Sequence, residues 1–206
     1  MSITEIIKPI KLLSGSHSST GETGQGCFMN VIAYLNGEPQ ITDQSPCVCA
    51  AIRPIAIAFN DFLNNDDRAV MLPYIERAMG SATTDMAEMS RRAWLAVDLA
   101  NTCRDIASNS ANAANAAKAA YAYASNAAYA ASNAAYAANA ASNAAANAAN
   151  AAKAANAASN AATREKIKAA YIIFMESALP KATAIQEIHI NRAKKLCSIA
   201  GLTVVN

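Results

Sequence analysis

Residues 111–162 read ANAANAAKAAYAYASNAAYAASNAAYAANAASNAAANAANAAKAANAASNAA, and the fold turns on this stretch. It holds 32 alanines, 10 asparagines, 4 tyrosines, 4 serines and 2 lysines. Alanine is the strongest helix former and asparagine costs about 0.7 kcal/mol relative to it, so the alanine excess predicts helix. The strand reading fails on propensity, and the collagen reading fails on the missing glycine period. A straight helix of this length would be a rod of about 78 Å.

The larger residues recur at steps of three and four: Asn126, Tyr129, Asn133, Tyr136, Asn139, Asn143, Asn147, Asn150, Lys153, Asn156 and Asn160. The mean step is about 3.4 residues, so the stripe stays on one side of a helix that supercoils left-handedly. Such a helix needs a neighbour, because tertiary burial rather than propensity stabilises most helices. The expected contact is the alanine face, represented by Ala131, Ala138 and Ala145, with asparagine and tyrosine in water, since each buried amide lacking partners is costly. The alternative puts the stripe inside as hydrogen-bonded layers. A single rod is expected over a hairpin. Ser-Asn pairs at 125–126, 132–133, 142–143 and 159–160 are the candidate turning points.

Neither glycine nor proline occurs from Ser81 to Leu179. Ser81–Thr84 offers helix caps, and Asp85 with Glu88 has capping-box spacing. Arg91 to Ile106 reads as an amphipathic helix with Trp94, Leu95, Val97, Leu99 and Ile106 supplying its large apolar groups, and Trp94 is expected in the core. Arg91, Arg92 and Asp98 are expected to pair with Glu38 or Asp61. Upstream, a short amphipathic segment at 2–13 is broken by Pro9. Gly15–Gly26 has linker composition and lacks the Gly-Lys-Ser/Thr ending of a phosphate loop. Cys27–Asn36 is an apolar helix stopped by Gly37, and 38–46 is a polar loop. Cys47–Asn64 reads as a helix whose start Pro54 restricts. Asp66–Met79 reads as a helix kinked or restarted at Pro73. Downstream, Ile167, Tyr171, Phe174, Met175 and Leu179 form one apolar helical face ending at Pro180. A last helix runs from about Thr183 to Ile199.

The class is therefore all-α: a small helical head domain carrying a very long alanine-rich helix, as rod or helical hairpin. The organisation is an N-terminal segment and linker (1–26), a head (27–106), the Ala/Asn helix (107–164) and C-terminal helices packing on head or rod (165–206).

Composition excludes more than it assigns. The chain is 53% apolar, but much of that is alanine, which buries little area. Formal charge is +2, and 106–163 holds only Lys118 and Lys153 with no acid, so no basic face for nucleic acid exists there. No segment has the leucine-, isoleucine- or valine-rich length of a membrane span, and the charged, proline-broken N-terminus is not a signal peptide. Cys27, Cys47, Cys49, Cys103 and Cys197 read as reduced thiols of a cytoplasmic or virion-associated protein. The Cys47-x-Cys49 pair with distant His17 and His189 is not a metal-ligand spacing. Neither histidine has a neighbouring nucleophile, so no catalytic residue, metal or cofactor is expected.

Several short matches accumulate in the head: Cys27-Phe28-Met29, Ala33-Tyr34-Leu35-Asn36-Gly37-Glu38-Pro39, Cys47 and Phe59-Asn60-Asp61. Gly80-Ser81-Ala82-Thr83-Thr84, Arg91-Arg92-Ala93-Trp94-Leu95-Ala96-Val97-Asp98 and Ala200-Gly201-Leu202-Thr203 extend them. Together they resemble a family of small uncharacterised helical proteins of actinobacteria and phages, over about 27–105 and 195–204. The resemblance implies a helical fold with the Ala/Asn stretch as an insertion, and carries no activity. Asn30 and Gln44 stand where that pattern has an acid and a histidine.

The resulting expectation is a non-enzymatic structural or interaction protein, a homo-oligomer through the long helix, with no nucleic-acid or membrane partner. The alternative is a surface-binding helix of antifreeze type, against which the missing regular threonines weigh. An enzyme in the head is the third reading.

Overall fold

The structure, a computed structural model, describes residues 2–107, 161–181 and 185–203. The candidate stripe and alanine-face positions (Asn126, Tyr129, Asn133, Tyr136, Asn143, Asn147, Asn150, Ala131, Ala138 and Ala145) lie outside them, as does the rod itself. Among the described residues the protein is all-α, with eight α-helices, one 3-10 turn and no strand. The chain divides into two compact units, neither continuous in sequence.

The first unit comprises Met1–Val48, Leu63–Ala82 and Leu179–Asn206. Helix α1 (Ile3–Ile7) starts in a complete capping box, in which Ser2 Oγ accepts from Glu5 N and Ser2 N donates to Glu5 Oε2. Its Ile3, Ile6 and Ile7 are all buried, because α1 packs on the last helix, α8 (Glu187–Ile199). The expected linker packs on α8 and buries Thr20, Gly24 and Gly26, while most of its other residues stay exposed. It forms α2 (Thr20–Thr23), and Thr20 is fully buried with its hydroxyl on His17 O at 2.8 Å. His17 N in turn donates to Asn30 Oδ1 at 2.6 Å. Polar composition marked this stretch as a linker, but each of these polar groups finds a partner inside. Helix α3 (Phe28–Asn36) is apolar on nearly every side and ends where expected, with Gly37 N returning to Ala33 O and Tyr34 O.

Two expected helices are shorter than their apolar patterns. The Cys47–Asn64 run becomes α4 (Arg53–Phe62), preceded by turns in which Ile52 N and Arg53 N both reach Cys49 O. Pro54 explains the late start: it sits in the first turn, where no intrahelical N–H bond is needed. The 66–79 run splits at Pro73 into a 3-10 turn (Asp67–Met71) and α5 (Tyr74–Ala78).

The second unit comprises Cys49–Phe62 and Thr83–Ala178. Its described helices are α4, α6 (Met86–Ala107) and α7 (Ala161–Ala178). Buried positions on α6 include a row of Met89, Ala93, Ala96, Ala100 and Cys103, with Arg92, Val97 and Leu99 beside it, and on α7 a row of Ile167, Tyr171, Phe174 and Ala178, with Ala170 and Met175 beside it. Both runs step by fours and threes, the spacing of a left-handed helix pair. Small residues on α6 face large ones on α7. Aromatic packing adds α4: Phe59 stacks on Tyr171 with centroids 4.7 Å apart and planes 2° apart, and Phe62 lies at 5.8 Å from the same ring.

Candidate functional site

The first helical turn of α6 is assembled from charge. Asp85 Oδ1 accepts from Ala87 N at 2.9 Å and Glu88 N at 3.4 Å, which is half of the expected capping box. The other half is missing because Glu88 is used elsewhere. Its carboxylate takes Arg91 through two bonds of 2.7 Å and Arg92 Nε at 2.8 Å. Both arginines thus bond a carboxylate of their own helix. Arg91 Nη1 continues to Ser177 O at 2.9 Å, satisfying a carbonyl in the last turn of α7 and placing a cation at its negative end. The Arg91 hydrogen bonds, aided by the charges of both arginines, pull the Glu88 pKa down to about 2.

A depressed carboxylate pKa contributes stability that is complete above the unfolded value near 4.5 and fades as pH falls toward 2. Glu88→Gln is therefore expected to destabilise at pH 7 and to converge on wild type between about pH 4.5 and pH 2. Thermal melts of both proteins across that range measure the difference.

Because Arg91 near the start of α6 meets Ser177 near the end of α7, the two helices run antiparallel. Ala107 and Ala161 consequently lie at the same end of the pair. Along one side of the pair runs a groove of about 190 Å³, with Leu95, Leu99, Ala170 and Phe174 supplying its apolar lining and Asp98 and Thr102 its polar edge. Ile173 stands at its rim, 66% exposed. Trp94, one turn from Asp98, was expected in the core and is 45% exposed. The seam is already filled by Ala93, Ala96 and Val97, so Trp94 falls on the outer face. Sequence reasoning missed Ile173, though a signal existed: neighbours such as Ile172 and Ile173 cannot both face one seam.

The first unit contains a different cluster. Glu38 accepts from Asn36 Nδ2 at 3.0 Å and from the buried Ser45 hydroxyl, whose oxygen lies 3.1 Å from Cys47 Sγ. Burial raises the Cys47 pKa despite the Ser45 contact, so the thiol stays protonated at neutral pH and is a poor nucleophile. The cluster ties down the loop after α3. His189 acts as a cap: its Nδ1 accepts from Gln186 N at 3.2 Å, while burial and Arg192 hold its pKa below the usual value. The imidazole is accordingly neutral, as that acceptor role requires. Among the described residues no three His, Cys, Asp or Glu side chains converge as a metal site, and no helix is long and apolar enough to cross a membrane. Cys103 is pushed up to about 12 by burial, which makes it a packed thiol.

No family model, curated protein or solved structure matches this chain. The functional reading rests on its own residues.

Proposed function

We propose that the chain is a non-enzymatic interaction protein that self-associates through its alanine-rich segment, held as a helical hairpin by α6 and α7. The carrying observation is the antiparallel α6–α7 pair, whose open ends flank the 53 residues from 108 to 160 at one end. A straight rod from 85 to 179 would need those helices to be collinear, so the pairing favours the hairpin. A hairpin with equal arms would turn near residue 134, beside the Ser132–Asn133 pair, with arms of about 38 Å.

The register of α7 bears on which face is which. Stepping back from Phe174 through Tyr171 and Ile167 at the same spacing reaches Arg164, Asn160 and then the Asn/Tyr stripe. Stepping on from Cys103 reaches Ala107, Ser110, Ala114, Ala117 and Tyr121. The apolar steps of α7 thus run into the Asn/Tyr stripe, while those of α6 run into alanine, serine and Tyr121. The proposed contact between copies remains the alanine face, including Ala131, Ala138 and Ala145, whose small side chains let a second copy approach closely.

Ala131→Leu, Ala138→Leu and Ala145→Leu together are expected to weaken self-association at least about tenfold, roughly 1.4 kcal/mol. Asn133→Gln with Asn143→Gln is expected to spare it. Sedimentation velocity measures both. A wild-type monomer at every concentration sinks the reading, and ice shaping by that monomer would replace it with the surface-binding alternative.

A further inference from the structure

We infer that the α6–α7 groove is the docking site for a second copy of this chain, each copy's Ile173 entering the other's groove. This rests on the self-association just proposed and assigns it a contact outside the alanine segment. Ile173 lines the groove and is 66% exposed, and Trp94, 45% exposed, stands one helical turn before Asp98 of its polar edge. Exposed single apolar residues are ordinary, but two large ones beside an apolar groove mark a contact surface. The surface is self-complementary. It presents one branched aliphatic knob beside one hole of about 190 Å³ lined by Leu95, Leu99, Ala170 and Phe174. That is the form an interface with twofold symmetry requires, where the same patch serves both partners.

The composition of the segment joining α6 to α7 argues for a copy over a covering by that segment. The 53 residues beginning after Ala107 and ending before Ala161 contain only alanine, asparagine, tyrosine, serine and lysine. None offers an aliphatic knob larger than alanine, and a tyrosine hydroxyl placed in an apolar hole without a partner is unfavourable. The second copy brings Ile173. Two antiparallel pairs laid face to face make a four-helix arrangement, a stable way of covering such faces.

Trp94 is the only tryptophan, so its fluorescence reports this surface directly. In the full-length protein, emission should shift to the blue as concentration rises, in step with the mass from sedimentation. Ile173→Glu should abolish the shift and raise the dissociation constant about thirtyfold or more, the scale of an interface hot spot. Its melting temperature as a monomer should be unchanged because the side chain is exposed. Ile173→Ser serves as the milder variant if the glutamate disturbs folding, with the same direction expected. Assembly that proceeds with Trp94 emission constant and is untouched by Ile173→Glu or Ile173→Ser overturns the groove while leaving the alanine-segment reading intact. Emission already blue-shifted and independent of concentration overturns it in favour of a covering in cis. A monomeric wild type overturns both.

Discussion

Tyr171→Ala is expected to cost about 3–5 kcal/mol, enough to abolish most of the cooperative stability of the second unit. The ring is fully buried and stacks on Phe59 at 4.7 Å, with Phe62 at 5.8 Å, so truncation opens a cavity bounded by two other aromatics. The small residues of α6 cannot close it: Ala93, Ala96 and Ala100 have no side chain to move inward. Tyr171→Phe separates packing from polarity. The Tyr171 hydroxyl is buried without a hydrogen-bond partner among the described residues, and burial drives its pKa well up. Removing that oxygen while keeping the ring should therefore stabilise by about 1 kcal/mol. Denaturant unfolding of the three proteins tests the pair of expectations. A Phe variant less stable than wild type would show that the hydroxyl is satisfied, and an Ala variant within about 1 kcal/mol would show that Tyr171 is not a core residue.

Gly24→Ala is expected to cost about 2–4 kcal/mol, combining a left-handed backbone with overpacking. Gly24 has φ +69, and an added Cβ would lie 2.5 Å from Ala200 N and 2.6 Å from Ala200 Cβ. Both are parts of a closely packed backbone turn with no flexible side chain to yield. Gly201 is the internal control: φ is +70, yet nothing lies within 4 Å of its added Cβ. Gly201→Ala should lose only the backbone term, about 1 kcal/mol. Thermal melts of the two variants isolate the steric contribution, and equal losses would mean that the turn after α2 is not seated against Ala200.

The position of Gly24 shows why 15–26 misled as a linker. Twelve residues rich in glycine, serine and threonine carry no apolar periodicity, so nothing local signals burial. Their order depends on distant groups: His17 N needs Asn30, and Gly24 needs the turn at Ala200, 176 residues away. The same logic applies to Trp94. Its helix was legible from Arg91 to Ile106, but which large residue filled the seam depended on the aromatics supplied by α7. The charge network shows a third form of this. The Asp85-x-x-Glu88 spacing suggested a reciprocal cap, and Glu88 instead bonds two arginines three and four residues on, where both partners are ionised and the Arg91 contact is bidentate.

By itself the sequence determined the helical class, the stop at Gly37, the break at Pro73, the stop before Pro180 and the heptad-like apolar steps of α7, whereas it placed the start of α4 at Cys47 and not at Arg53. These follow from backbone sterics and side-chain periodicity, which act within a few residues. Tertiary structure alone decided that α6 and α7 run antiparallel, that the glycine-rich loop buries Thr20 and Gly24, and that Ile173 lines an apolar groove while Trp94 stays outside the seam. Those outcomes depend on which faces meet, and burial is non-directional: many apolar residues compete for each seam, and only the assembled volumes select the ones left outside.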